Sequence, residues 1–488
     1  MSRTLVIDPV TRIEGHGKVT LQLDDSNKVT DAKLQVVEFR GFERFIQGHP
    51  YWEAPMLLQR ICGICFVSHH LCGAKALDDM VGVGLSDGIQ MLPTPEKMRR
   101  LGHYAQQLQS HVTAYFYLIA PEMVFGIEEA PEKRNILGLA EANPDLVKRV
   151  IELRRWGQEL IQAVLGKRMH GISSIPGGVN SNMSEEQRDR FLSGDKDILS
   201  IDQVIDYAQD ALDLFYDYHE KHRKEIDSFG VVEALDMCLV DENGDVDYYH
   251  GTLKVIDKDK NTVLETDYHN YLNYFSEATE PWSYMKFPYL KSLGRESGSV
   301  RVGPLARVNV TRRYNTPLAQ EALESFHSYT HGKANNMTLH TNWARAIEIL
   351  HSAELIKELL VDPDLQGEQL IITPEKEAWT GEGIGVVEAP RGTLLHHYRA
   401  DEAGNMTFAN LIVSTTQNNQ VMNRTVQSVA QDWISGKPEI TEGMMNAIEV
   451  GIRAYDPCLS CATHAMGQMP LKVSLIDKSG RLLDEKYR

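Results

Sequence analysis

The chain has 488 residues, and its 68 acidic against 50 strongly basic side chains leave a formal charge of −18 with histidines neutral. That balance argues against broad coating of DNA, RNA or an anionic membrane. A hydrophobic fraction of 42% beside 24% charged residues supplies a large core and excludes a disordered chain, while length alone allows roughly two to four domains or one continuous enzyme fold.

Taken in chain order, TLVIDPV (4–10), GKVTLQLDD (17–25) and KVTDAKLQVVEF (28–39) alternate as strands, with DDSNK as a turn, and predict an amino-terminal antiparallel sheet. From Glu53 the period changes. Residues 95–120 space their apolar positions for a long helix with Pro95 suited to its start, and residues 143–166 continue the helical character. Ser200 opens another long helix over 201–226. Between 229 and 300 short β-like runs, DYYHGTLKVID and NTVLETDYHNYL, are split by the turn signals DENGD and DKDKN. Residues 318–332 and 340–362 restore helix, 381–413 read as two or three strands around ADEAGN, and 441–456 form the last helix. No internal repeat, low-complexity linker or clean domain boundary interrupts this order. The fold class expected is α+β, predominantly helical, with a central bundle of long helices and peripheral sheets.

Six cysteines stand at 62, 65, 72, 238, 458 and 461, too few for a disulfide scaffold. Four of them form two C-x-x-C pairs, Cys62/Cys65 and Cys458/Cys461, and His69 and His464 follow a few residues behind. Two such pairs point to one shared thiolate site for a metal. Structural zinc, iron-sulfur and soft transition-metal ligation all remain open on ligand type. His69-His70 and His396-His397 are not independent metal motifs, and Cys72 and Cys238 read as structural thiols. Asp8, Arg12 and Glu14 arrive before any apolar run long enough for a secretory signal, and no stretch reaches the ~18 apolar residues of a spanning helix; the compartment expected is the cytoplasm.

The context of the pairs narrows the choice. Arg12-Ile13-Glu14-Gly15-His16, then Arg40-Gly41-Phe42-Glu43, then Arg60-Ile61-Cys62-Gly63-Ile64-Cys65, and finally Asp456-Pro457-Cys458-Leu459-Ser460-Cys461-Ala462-Thr463-His464 resemble, in order and over essentially the whole chain, the motifs of nickel-iron hydrogenase large subunits. The likeness is greatest to those of soluble, NAD-linked, bidirectional hydrogenases. The resemblance implies that Cys62, Cys65, Cys458 and Cys461 hold nickel, with Cys65 and Cys461 bridging to an iron that carries one carbonyl and two cyanides. Glu14, Arg391 and Cys461 are the catalytic residues it implies, in a heterolytic splitting of hydrogen where a thiolate or an Arg391-assisted base takes the proton and Glu14 passes it outward. Arg391 lies over the open side of the metal pair. Ser414 and Thr415 fall where the family places donors to a cyanide, although Ser414 and Gln417 replace the usual Pro and Trp. Ser110-His111 stands where many relatives have Asp-His, which leaves the salt-bridge partners of Arg391 open. Glu43, His464 and the Leu411 carbonyl match residues holding Mg2+, and His69 is expected to hydrogen-bond a thiolate rather than bind metal.

The resemblance also divides the chain into a catalytic body, 1–464, and an extension, 465–488, cut off after His464 by an endopeptidase once maturation factors have inserted the metals. Taken alone, LKVSLID, KSG and RLLDE would be a terminal hairpin kept in the fold. No ferredoxin-like cysteine pattern and no G-x-G-x-x-G fingerprint is present; Gly381-Glu382-Gly383-Ile384-Gly385 lacks that spacing. Electrons are therefore expected to leave through an iron-sulfur small subunit to diaphorase subunits carrying FMN and NAD. The alternatives are a hydrogenase with another acceptor, such as ferredoxin or NADP, and a non-catalytic zinc-binding relative.

Overall fold

The computed structural model describes residues 3–84, 89–373, 376–464, 472–477 and 481–487. Strands β1 (Arg3–Ile7), β2 (Gly17–Leu23) and β3 (Val29–Val36) form an antiparallel sheet in that order. Val19, Leu21, Leu23, Leu34 and Val36 are buried on its inner face, as the two-residue period requires. Glu14 lies in the loop before β2 and makes a single parallel bridge to Cys458. The loop is possible because Gly15 takes a φ of 85°; a Cβ there would sit 2.9 Å from Cβ of Leu459.

Helix α1 (Phe66–Met80) has no counterpart among the predicted elements, because every residue in it except Asp79 is buried and no polar stripe marks its period. Helix α2 (Pro93–Val112) begins two residues before the expected Pro95. Instead of running to 120, it widens into a π-helical turn over Thr113–Ile119 before a short helix, Ala120–Phe125. Helix α3 (Pro144–Leu165) starts on an Asn143 cap and ends at Gly166 in the left-handed region, and α4 (Ile201–Ser228) opens on a reciprocal Ser200/Gln203 capping box.

The β-like middle resolves into β4 (Leu235–Val240), β5 (Thr252–Ile256) and β6 (Thr262–Thr266), followed by the hairpin β7 (Phe275–Glu280) and β8 (Ser283–Leu290). Helix α5 (Pro304–Val310) precedes α6 (Pro317–Tyr329) and α7 (His340–Leu360). Helix α7 packs against α2 and α4, and α2 against α3; these long helices are the central bundle. Strands β9 (Glu382–Ala389), β10 (Gly392–Ala400) and β11 (Met406–Ile412) form a second antiparallel sheet, with β9 pressed on α1. Helix α8 (Asn419–Trp433) lies on β3 and α9 (Glu442–Arg453) on α8. A terminal hairpin pairs Lys472–Ile476 with Leu482–Tyr487, whereas residues 465–471, just past the expected cut, lie outside the described residues. Among the described residues no helix is long and apolar enough to cross a membrane.

Candidate metal centre

Each cysteine pair lies where a helix begins. Cys62 ends a 3-10 turn, Gln59–Ile61, and Cys65 caps α1; Cys458 caps the short helix Leu459–Ala462, which carries Cys461. The fold brings first to first and second to second: Cys62 and Cys458 sulfurs are 3.3 Å apart, Cys65 and Cys461 3.2 Å, and Cys458 and Cys461 2.9 Å. All four are buried, and all four sulfurs lie within 4.8 Å of one another. The amides of Ile64 and Cys65 donate to the Cys62 sulfur at 3.2 and 3.1 Å. Hydrogen bonds from Cys458, Cys461 and Cys65 hold the Cys62 thiol well below its ordinary pKa, whereas burial pushes Cys461 and Cys458 up. Four thiolates this close need a multivalent cation to be anionic together.

Cys458 lies 3.0 Å from Oε2 of Glu14. The same oxygen accepts the Ser460 amide at 3.1 Å, and the Ser460 hydroxyl donates to Oε1. The Glu14 carbonyl accepts the Leu459 amide at 3.0 Å, so the RIEGH loop and the carboxyl-terminal motif are stitched together at the sulfur. The thiol in contact with the carboxylate is Cys458, which leads its pair and faces the amino-terminal loop.

Arg391 sits in the turn between β9 and β10. Its Nε donates to the Asp456 carbonyl at 2.6 Å, one Nη pairs with the Asp456 carboxylate at 2.8 Å, and the other reaches the Ser110 hydroxyl at 3.3 Å. Asp456, held at a φ of 51°, thus supplies the salt bridge, and Ser110 contributes only a hydroxyl. Burial opposes the guanidinium charge, but Asp456 and the sulfurs of Cys458, Cys65 and Cys62 outweigh it and raise its pKa. Arg391 stays cationic beside the cluster.

Other predicted residues fall less simply. Ser414 donates its hydroxyl to the Gly392 carbonyl at 2.6 Å, which commits that proton to the backbone. Thr415 accepts the Cys458 amide at 3.0 Å and keeps its own proton to give. His69 makes no hydrogen bond to sulfur; its Nδ1 faces His396 at 3.0 Å and its Nε2 has no partner. Glu43, His464 and Leu411 do converge. His464 Nε2 lies 2.7 Å from the Leu411 carbonyl and 3.3 Å from Glu43, whose Oε1 also accepts the Leu411 amide at 2.8 Å. Sequence reasoning missed Ser460, although it stands between the paired cysteines. It also missed Arg40, whose guanidinium bonds the carbonyls of Ile61 and Ser460, the residues preceding Cys62 and Cys461.

A second trio, His219, Asp227 and His340, also gathers its ligand atoms within 4.8 Å. It is a hydrogen-bonded unit, not a ligand set. Asn335 Oδ1 accepts the Met337 amide, so its Nδ2 must donate to His340 Nδ1 at 2.8 Å; the imidazole proton then sits on Nε2, facing Asp227 at 2.9 Å.

A family model described as nickel-dependent hydrogenase matches residues 40–130 and 222–464, and one described as HoxL-like matches residues 4–39. The chain belongs to the nickel-dependent hydrogenases. It is 75% identical over 488 residues to the NAD-reducing hydrogenase HoxS subunit beta of Cupriavidus necator, with both chains covered completely. It is 40% identical over 483 residues to a chain of the F420-non-reducing hydrogenase vhc of Methanococcus voltae, covering 98% of this chain and 99% of the other. A solved NAD+-reducing [NiFe]-hydrogenase in the H2-reduced state superposes with a TM-score of 0.90 at 45% identity, over 95% of this chain and 99% of that one. As a hydrogenase, the chain has a ready reason for its four-sulfur cluster: the donor set suits a soft metal centre, and the cluster is enclosed as such a centre needs.

Proposed function

We propose that the chain is the catalytic large subunit of an NAD-linked hydrogenase, a hydrogen:NAD+ oxidoreductase that splits hydrogen reversibly. The observation that carries this reading is the juxtaposition of four buried sulfurs with a carboxylate 3.0 Å from one of them and with a buried guanidinium alongside. The 75% identity to a NAD-reducing relative over the full chain supports the choice of acceptor.

Cys62, Cys65, Cys458 and Cys461 would hold a nickel-iron centre. Such a centre supplies the two-electron chemistry of heterolytic hydrogen cleavage. The protein's own part is proton handling and charge. Cys458 accepts the proton and Glu14 takes it from the sulfur through Oε2; the Ser460 amide and hydroxyl hold the carboxylate in that position. General acid-base transfer needs this reach of about 2.6–3.2 Å. Arg391, fixed by Asp456 and Ser110, places permanent positive charge where anionic ligands and developing negative charge are stabilised. Thr415 retains a hydroxyl proton for a cyanide.

Glu43, His464 and the Leu411 carbonyl would hold Mg2+. A carboxylate and a carbonyl are hard donors that suit it, and His464 Nε2 lies where the two oxygens converge. Electrons leave through partners, since Cys72 and Cys238 are buried free thiols and not a cluster's ligand set: an iron-sulfur small subunit, then diaphorase subunits with FMN and NAD, all in the cytoplasm. Residues 1–464 form the working body, and 465–488 are an extension removed by an endopeptidase after maturation factors have loaded the metals.

Hydrogen-dependent NAD+ reduction by the purified complex tests the reading. Turnover with NAD+ is expected. Uptake with other acceptors alone would favour the second reading, a different acceptor class; no hydrogen chemistry at all would refute both.

A further inference from the structure

One buried polar string runs back from His69, the residue expected to hydrogen-bond a thiolate, through two residues that have no part in the roles above. His69 stands one helical turn after Cys65 on α1, so both lie on the same face. Its Nδ1 is 3.0 Å from Nε2 of His396, and the Nδ1 of His396 is 2.5 Å from the Tyr398 hydroxyl. His396 and Tyr398, two apart on β10, share a face of the sheet. All three side chains are fully buried.

Counting hydrogens gives the string a direction. Burial drives His69 down to about 4 and His396 well below its ordinary value, so both rings are neutral and each carries one proton. If the Tyr398 hydroxyl donates to His396 Nδ1, then His396 donates from Nε2 to His69 Nδ1, and His69 must carry its proton on Nε2. Run the other way, the Tyr398 proton has no acceptor among the described contacts, and His69 shows a bare lone pair on Nε2. The first order leaves one buried polar atom unmatched and the second leaves two, which is the costlier state. The one atom of the string unmatched among the described residues is Nε2 of His69, on a ring that stands one turn from Cys65 and feels the charge of Cys62. Anionic ligands attract an N–H there and repel a lone pair.

We propose that Tyr398 and His396 are positioning residues that fix the tautomer of His69, so that its Nε2–H is offered to the anionic ligands of the metal centre. The inference rests on the hydrogenase reading, and it extends the donor set two residues outward from the cluster. Each donor in the string polarises the next, so loss of the far hydroxyl is felt at the near nitrogen.

The test is infrared spectroscopy of the purified complex with nickel content measured on the same samples. Tyr398→Phe and His396→Leu should shift the carbonyl and cyanide stretches with nickel per protein unchanged. His396→Gln, whose amide still donates to His69 Nδ1, should return them toward the unmodified positions. Unshifted bands in both Tyr398→Phe and His396→Leu overturn the proposal. Where a variant loads no nickel, long-range 1H–15N spectra of the histidine-labelled unloaded chain read the tautomer directly: a proton on Nε2 of His69 in the unmodified chain is expected, and one on Nδ1 overturns the proposal. Absence of the bands from the unmodified complex would refute the hydrogenase reading instead.

Discussion

Glu14 touches a sulfur with one oxygen and a hydroxyl with the other, so it can receive a proton and remain anchored while it does. Glu14→Gln keeps an oxygen for Ser460 but cannot carry the proton. Turnover and hydrogen-deuterium exchange should fall by about 10²–10⁴-fold with nickel and iron content unchanged; undiminished turnover would remove Glu14 from the path. Arg391→Lys keeps the charge but loses the fork that grips Asp456 by both carbonyl and carboxylate. A loss of about 10²-fold in kcat is expected, and a wild-type rate would contradict the role. The four cysteines are legible in the sequence through their paired spacing, and Glu14 and Arg391 through the family resemblance. The meeting of Glu14 with Cys458 and the commitment of the Ser414 hydroxyl to Gly392 are not, since they depend on where a loop turns, as at Gly15 and Asp456, and no spacing encodes that.

Helix α1 carries His69 and follows Cys65, and its seat is the flat back of β9. Gly385 makes that seat possible: a Cβ would stand 2.2 Å from the Cys72 carbonyl and 2.6 Å from the Ala76 amide, both backbone atoms that cannot turn aside. Gly385→Ala should therefore push α1 off the sheet at a cost of about 1–3 kcal/mol. The expected result is a lower thermal midpoint and weaker nickel retention, and an unchanged midpoint would show that the packing tolerates the methyl. The bundle helices α3 and α4 are readable from their amphipathic period and caps. Helix α1 is not, because burial on all sides erases the period, and α7 is readable only through its length and helix-forming composition. The π-helical turn after α2 has no sequence signature; there the chain accommodates Arg12, which bonds the Leu118 carbonyl at 3.0 Å and Glu122 at 2.9 Å.

Across the whole molecule the interior carries many neutral imidazoles. Burial lowers His70, His103 and His111 to about 4 and His351 to about 3. Each folded value lies below the ordinary 6.5, so the unfolded chain binds more protons as the pH falls. The stability these sites provide is complete above about 6.5 and is lost progressively toward 4, at up to about 1.4 kcal/mol per site per pH unit. Denaturant midpoints should decline from about pH 6.5 downward, ahead of the carboxylates; a flat profile between pH 7 and 5 would contradict this. The overall architecture is legible in the sequence as a helical bundle with peripheral sheets. The meeting of cysteines 396 positions apart is legible only because two identical spacings recur, and its carboxylate and guanidinium neighbours come from motifs, not from periodicity. The central claim is that these four sulfurs hold a nickel-iron centre. Infrared spectra of the native complex, with metal analysis of the same sample, test it most directly: carbonyl and cyanide stretches with nickel and iron are predicted, and zinc alone with no such bands would contradict it.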